Sequence, residues 1–250
     1  MSIAATEMAW KYACDRINAT PVIETPFPHI VVENVFPDNF YAGILDRLPN
    51  DSNYAYADER DADGAERYRG VVDFFKADPA AQIAGEHTPF WQSFTGAPPT
   101  RDLTTCLLNR FGPHLDKQLL AQRFGQELNI TSKWLLTRDR AGYVLPPHND
   151  TWLKVIAGLF YLPAPGLEND EGTTLLEIKP DREFVFDDKL RGKLDDFTVV
   201  QKLPYKANTM LAFVRSDISF HCVQELGAEV DQRDILLFNV VGTLGRFAQT

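Results

Sequence analysis

From about residue 133 the chain changes texture, and that change constrains the fold more than any other feature. Short apolar runs recur between turn signals: Trp134–Thr137, Val155–Leu162, Thr173–Ile178, Phe197–Val200, Met210–Val214 and Ile235–Val241. Runs this short, with no long helical pattern between them, read as strands of an antiparallel assembly. An antiparallel β-sandwich or a double-stranded β-helix, of the jelly-roll or cupin-like kind, satisfies that order.

The first half reads differently. Residues 4–18 have the pattern of an amphipathic helix, with Met8, Tyr12 and Ile17 near helical spacing. The Pro21–Pro28 segment breaks it, and Ile30-Val31-Val32 reads as a strand. Pro37-Asp38 opens a second helix carrying Phe40, Ile44 and Leu48, which Pro49-Asn50-Asp51 stops. Residues 80–94 and 101–124 read as mainly helical, the second with Leu103, Leu107, Phe111 and Leu115 on one face and a break at Gly112-Pro113. Residues 50–70 are polar and turn-rich, carrying Tyr54, Tyr56, Arg67, Tyr68 and Arg69. That stretch is either a surface loop or a substrate lid. The expected fold class is mainly β with flanking helices (α+β). One domain spans 1–250, with a helix-rich flank over 1–132 outside a double-stranded β-helix core over 133–243.

The charge balance narrows the partners. The net charge is −10 and no run of five or six basic residues occurs. Neither fits a nucleic-acid surface, which needs clustered Lys and Arg. Cys14, Cys106 and Cys222 are widely spaced with no CxxC pair, which is neither a disulfide framework nor a zinc ribbon and fits a reducing cytoplasm. Met1 to Asn18 carries Glu7, Lys11, Asp15 and Arg16 without an apolar h-region, so it reads as neither signal peptide nor membrane span. A small-molecule substrate is the expected partner, without nucleic acid or membrane, and nothing in the sequence sets an oligomeric state.

The chemistry concentrates in Pro147-His148-Asn149-Asp150, with Ser219-Phe220-His221 and Arg233 far downstream. Two neutral imidazoles and one carboxylate on one metal leave further positions open for reactants. In an extended segment His148 and Asp150 project to the same side, and Pro146-Pro147 stiffens the approach. Arg233 lies in a strand-like run, where a fixed cation could hold a second carboxylate. Two rivals stay open: a zinc hydrolase, for which the same ligands are suited, and a non-catalytic cupin-like binding protein. His29, His87 and His114 show no partner spacing and read as non-ligands. Cys222 follows His221 directly, so strand alternation turns it to the opposite face as a structural thiol.

These motifs also carry a resemblance. Ala141 to Asp150 resembles the first metal motif of 2-oxoglutarate- and Fe(II)-dependent dioxygenases of the prolyl-hydroxylase-like branch. Ala157-Gly158-Leu159-Phe160-Tyr161-Leu162 resembles that branch's following strand, and Glu171-Gly172-Thr173-Thr174-Leu175 its Gly-Gly-x-Leu turn, with one glycine of the pair replaced. Asn208 to Phe213 resembles the strand leading to the distal histidine, and Arg233 to Phe238 the last strand. The likeness covers roughly 134–242 in one consistent order.

The resemblance implies a double-stranded β-helix and a hydroxylase using Fe(II), 2-oxoglutarate and O2. It implies His148, Asp150 and His221 as catalytic metal ligands and Arg233 as the grip on the distal carboxylate of 2-oxoglutarate. Tyr161 would assist that grip, and Arg138 would make a co-substrate or substrate contact. It further implies decarboxylation of 2-oxoglutarate to succinate and CO2 coupled to hydroxylation. Related halogenases carry a small residue in place of the carboxylate, so Asp150 points to hydroxylation. The prime substrate is not readable, with a small polar metabolite or amino-acid-like group favoured over a protein.

Overall fold

The computed structural model describes residues 2–56, 67–74, 83, 85–124, 129–182, 184 and 192–243. Among them, the strands are β1 (His29–Glu33), β2 (Ala55–Tyr56), β3 (Arg69–Asp73), β4 (Asn129–Asp139), β5 (Leu145–His148), β6 (Lys154–Tyr161), β7 (Thr174–Ile178), β8 (Phe197–Lys202), β9 (Thr209–Val214), β10 (His221–Val223) and β11 (Arg233–Thr243). They form a seven-stranded sheet in the order β1-β9-β6-β11-β4-β3-β2 and a four-stranded sheet in the order β5-β10-β7-β8. Every pairing is antiparallel. From β4 onward the chain passes from one sheet to the other at every step except the β7–β8 hairpin. That winding is a double-stranded β-helix.

Strand alternation divides the large sheet into two faces. Leu136, Phe160, Met210, Ala212, Leu236 and Phe238 belong to an outer core shared with the helices. Tyr161, Leu211, Phe213 and Ile235 belong to an inner core with Leu175 of the small sheet. Because both faces are covered, β9 is buried along its whole length, which is why Met210–Val214 reads as an unbroken apolar run.

The outer layer is built from α1 (Ile3–Ala19), α2 (Asp38–Leu45), α3 (Thr88–Phe94), α4 (Ala97–Phe111) and α5 (Lys117–Phe124). Ser2 caps α1 by accepting from the Ala5 amide at 3.2 Å. The buried face of α1 is Thr6, Ala9, Trp10, Ala13 and Ile17. This differs from the sequence expectation, since Met8 is 67% and Tyr12 38% exposed. Trp10 decides the rotation: its ring stacks on Phe94 at 4.8 Å and its Nε1–H donates to the Phe94 carbonyl at 3.1 Å. Burial of one such aromatic contributes about 1.5–3 kcal/mol, more than an exposed Met or Tyr could offset. In α4 the expected Leu103, Leu107 and Phe111 are buried, and Gly112-Pro113 turns the chain into a short 3-10 segment.

The N-terminal flank is tied into the barrel, not merely laid on it. β1 pairs with β9, and the Asn208 amide bonds Phe36 in both directions, accepting from its N–H at 2.9 Å and donating to its carbonyl at 2.7 Å. In the 50–70 stretch expected as a loop or lid, β2 and the start of β3 extend the large sheet, while residues 57–66 lie outside the described residues. No helix among the described residues is long and apolar enough to cross a membrane.

Candidate metal centre

β5 and β10 are neighbours in the small sheet, and their register sets His148 directly opposite His221. Cross-strand partners project to one face, and the two imidazole rings lie 4.3 Å apart. β5 ends at His148. Asp150 then takes a left-handed conformation, φ +64°, so the chain turns where a continuous extended segment was expected. An aspartate tolerates that region better than most residues. The turn brings one carboxylate oxygen, Oδ1, to 3.7 Å from His148 Nε2 and the other, Oδ2, to 3.9 Å from His221 Nε2.

Three observations fit this cluster to a metal. One donor atom from each of His148, Asp150 and His221 lies within 4.8 Å of the others, and all three residues are buried. Both imidazoles are fixed in one tautomer: His148 Nδ1 donates to the Pro146 carbonyl at 2.9 Å and His221 Nδ1 to the Ser219 carbonyl at 3.0 Å. Carbonyls only accept, so Nδ1 carries a proton in each ring, and the neutral form of either ring has its lone pair on Nε2. Finally, Asp150 Oδ2 is buried with no hydrogen-bond partner, an uncommon and costly condition for a carboxylate oxygen. Burial pushes the Asp150 carboxyl up, but the Lys154 ammonium, then His221 and His148, outweigh it and hold the group well below the usual carboxylate range. Among the described residues this is the one group of His, Cys, Asp and Glu side chains placed so that it could hold a metal, and His29, His87 and His114 stand outside it.

Arg233 opens β11 opposite Asp139, the last residue of β4. It is fully buried. Its Nη1 donates to Asp139 Oδ2 at 2.6 Å and its Nη2 to the Gly172 carbonyl at 3.0 Å, while its Nε is buried without a partner. Arg69 from β3 grips the same aspartate twice, Nε to Oδ1 at 2.6 Å and Nη2 to Oδ2 at 2.9 Å. Asp139 thus joins the two guanidiniums, and the buried Arg233 Nε keeps a donor without a partner. A buried donor left unpaired is costly, so this edge of Arg233 favours an acceptor oxygen.

Tyr161 belongs to the same interior. It lies two strand positions inside Arg233 by register, and its hydroxyl donates to Thr173 Oγ1 at 2.8 Å. Burial raises the Tyr161 hydroxyl above its ordinary value, against the lowering influence of Thr173 and Arg233. The inner core joins the two polar ends: Leu175 sits beside His221, the Phe213 ring is 4.7 Å from the His221 ring, and Tyr205 lies under the Arg233 guanidinium at 5.5 Å.

Arg138 is not brought to this interior. It sits opposite Asp234, one position out of phase with the Arg233–Asp139 pair, and so faces the other side of the sheet. There it holds Asp234 through two bonds, at 2.8 and 3.2 Å, and lies over the Tyr54 ring at 4.4 Å. The residue at this end of β4 that does face inward is Asp139, which the sequence alone does not single out, nor does it single out Lys154; Arg69 stands out there only as part of the 50–70 stretch. Cys222 turns away from His221 into a separate cluster with Leu176, Phe197 and Phe220. Burial pushes its thiol up to about 11.

No family model matches the chain, and no curated protein matches it. Several solved structures are similar. One is a Pseudomonas putida prolyl-4-hydroxylase, at TM-score 0.48 and 10% identity, covering 93% of this chain and 98% of that one. A Trichoplax adhaerens prolyl hydroxylase in complex with a hypoxia inducible factor peptide is similar at TM-score 0.47 and 10% identity, over 95% of this chain and 90% of that one. Streptomyces hygroscopicus HygX, with nickel, 2-oxoglutarate and hygromycin B bound, is similar at TM-score 0.46 and 13% identity, over 86% and 83%. At these TM-scores the likeness decides nothing about chemistry, which rests on the site itself.

Proposed function

We propose that the protein is a 2-oxoglutarate- and Fe(II)-dependent dioxygenase that hydroxylates an unactivated C–H bond of a small polar or amino-acid-like substrate. The observation that carries this reading is the pairing of two features in one barrel interior. A buried His–Asp–His cluster can hold a metal with positions to spare, and a fully buried arginine keeps an Nε donor without a partner. A zinc hydrolase accounts for the first feature and gives no role to the second. A non-catalytic binding module would tolerate loss of a ligand or of Arg233, and here all four residues are present.

His148 and His221 would offer Nε2 lone pairs and Asp150 its Oδ2, a nitrogen and oxygen donor set suited to Fe(II). Bound Fe(II), with 2-oxoglutarate and O2, supplies the oxidising chemistry, in which RH, 2-oxoglutarate and O2 give ROH, succinate and CO2. Arg233 would take the distal carboxylate through its partnerless Nε and the adjoining Nη2, an edge shaped for two parallel charge-assisted bonds. Asp139 holds the guanidinium in place for this. The Thr173 hydroxyl accepts from Tyr161, so its own proton remains available to a ligand oxygen. Leu175, Phe213 and Ile235 keep the interior dry and strengthen every charge interaction within it. Three free cysteines among the described residues fit a reducing cytoplasm.

Succinate release tests the proposal. Purified protein should convert 2-oxoglutarate to succinate only with Fe(II) and O2 present, and a panel of amino acids and sugars should reveal the substrate by accelerating it. Zinc-supported hydrolysis without succinate would move the assignment to the hydrolase class.

A further inference from the structure

We infer that Lys154 is a positioning residue for the metal centre: its ammonium holds one oxygen of Asp150 so that the carboxylate offers a metal only the other. The inference rests on the metal reading above and adds a residue to it. Lys154 Nζ lies 2.8 Å from Asp150 Oδ1, a charge-assisted hydrogen bond. The opposite oxygen, Oδ2, is buried and has no partner.

The local chain keeps the lysine there. Residues 151–154 form a tight turn in which the Lys154 amide donates to the Thr151 carbonyl at 3.1 Å. The Leu153 carbonyl accepts from the Gly242 amide at 2.9 Å, and the Trp152 ring stacks on Phe124 at 5.6 Å. The turn is therefore pinned to β11 on one side and to α5 on the other. Lys154 begins β6, so its side chain is directed by a strand of the barrel wall and not by a free loop.

The consequence concerns how many positions a metal keeps. Two imidazoles and a one-oxygen carboxylate would leave a bound metal its remaining positions for the keto acid and O2. An aspartate binding through both oxygens would take one of those positions and crowd a reactant. Lys154 prevents that by occupying Oδ1 with a stronger claim than a distant water could make.

Binding of Co(II) and 2-oxoglutarate to the intact protein tests this without turnover. Lys154→Met should bind Co(II) at least as tightly as wild type, because a neighbouring positive charge is gone. Its cobalt absorption spectrum should differ, and 2-oxoglutarate should bind the cobalt-loaded variant about tenfold more weakly, roughly 1.4 kcal/mol. Lys154→Arg, which keeps a charged donor, should recover the wild-type spectrum and affinity. If Lys154→Met matches wild type in both, or if Lys154→Arg fails to rescue, the inference is overturned while the metal site stands. Wild-type protein that takes up no Co(II) would overturn the metal reading and this inference together.

Discussion

Asp139→Asn removes the charge that joins two arginines, and its cost can be worked from the contacts. Asp139 is fully buried and accepts three short bonds, two from Arg69 and one from Arg233. Asparagine matches the shape, but either orientation of its amide turns one acceptor oxygen into an N–H donor facing a guanidinium. The fully buried Arg233 then loses its only close counter-charge among the described residues. Breaking a buried ion pair by removing one partner costs about 3–5 kcal/mol. For a chain of this size each kcal/mol lowers Tm by roughly 2–4 °C, so Asp139→Asn should unfold roughly 6–20 °C below wild type. Differential scanning calorimetry of both proteins measures the difference. A variant within about 2 °C of wild type, the effect of under 1 kcal/mol, would refute the view that Asp139 compensates the buried Arg233 charge.

Two further outcomes follow from the same interior. Arg233→Met should weaken 2-oxoglutarate binding by roughly a hundredfold or more, since a desolvated charge-assisted contact contributes about 3 kcal/mol, while Co(II) uptake stays near wild type; equilibrium dialysis with each ligand separates the two. Burial raises the hydroxyls of Tyr41, Tyr54, Tyr161 and Tyr205 above their ordinary values. A raised folded value means that the unfolded chain loses these protons first. Their contribution is therefore intact below about pH 10 and declines above it, by up to about 5 kcal/mol per pH unit for four groups. Thermal unfolding across that range should show a steep alkaline loss, and a Tm independent of pH there would contradict it.

The parts of the fold that were legible in the sequence are those buried on both faces. β9 and β11 announce themselves because helices cover one side and the small sheet the other, giving long apolar runs. β5 and β10 are short strands whose residues are largely prolines, histidines and a cysteine, so no periodicity marks them. Yet these two carry both imidazoles, whose proximity depends on the His148–His221 register. The ligand types were visible in the motif, while the left-handed turn at Asp150 was not. Arg138 and Asp139 are adjacent, and the sequence offers Arg138 equally as a co-substrate or substrate contact and as a plain surface arginine. Only the β4–β11 register, set across 94 residues, decides that Asp139 is the one facing inward. Lys154 lay at a spacing of four from Asp150 but outside any helical pattern, so its contact waited on the turn between them.

The central claim is that one interior holds Fe(II) and 2-oxoglutarate together. Anaerobic addition of both to the purified protein, followed by visible absorption, tests it most directly. A metal-to-ligand charge-transfer band should appear only when both are present, and should be lost in Asp150→Ala and His221→Ala. A wild-type spectrum that stays flat with both ligands at saturating concentration would contradict the account.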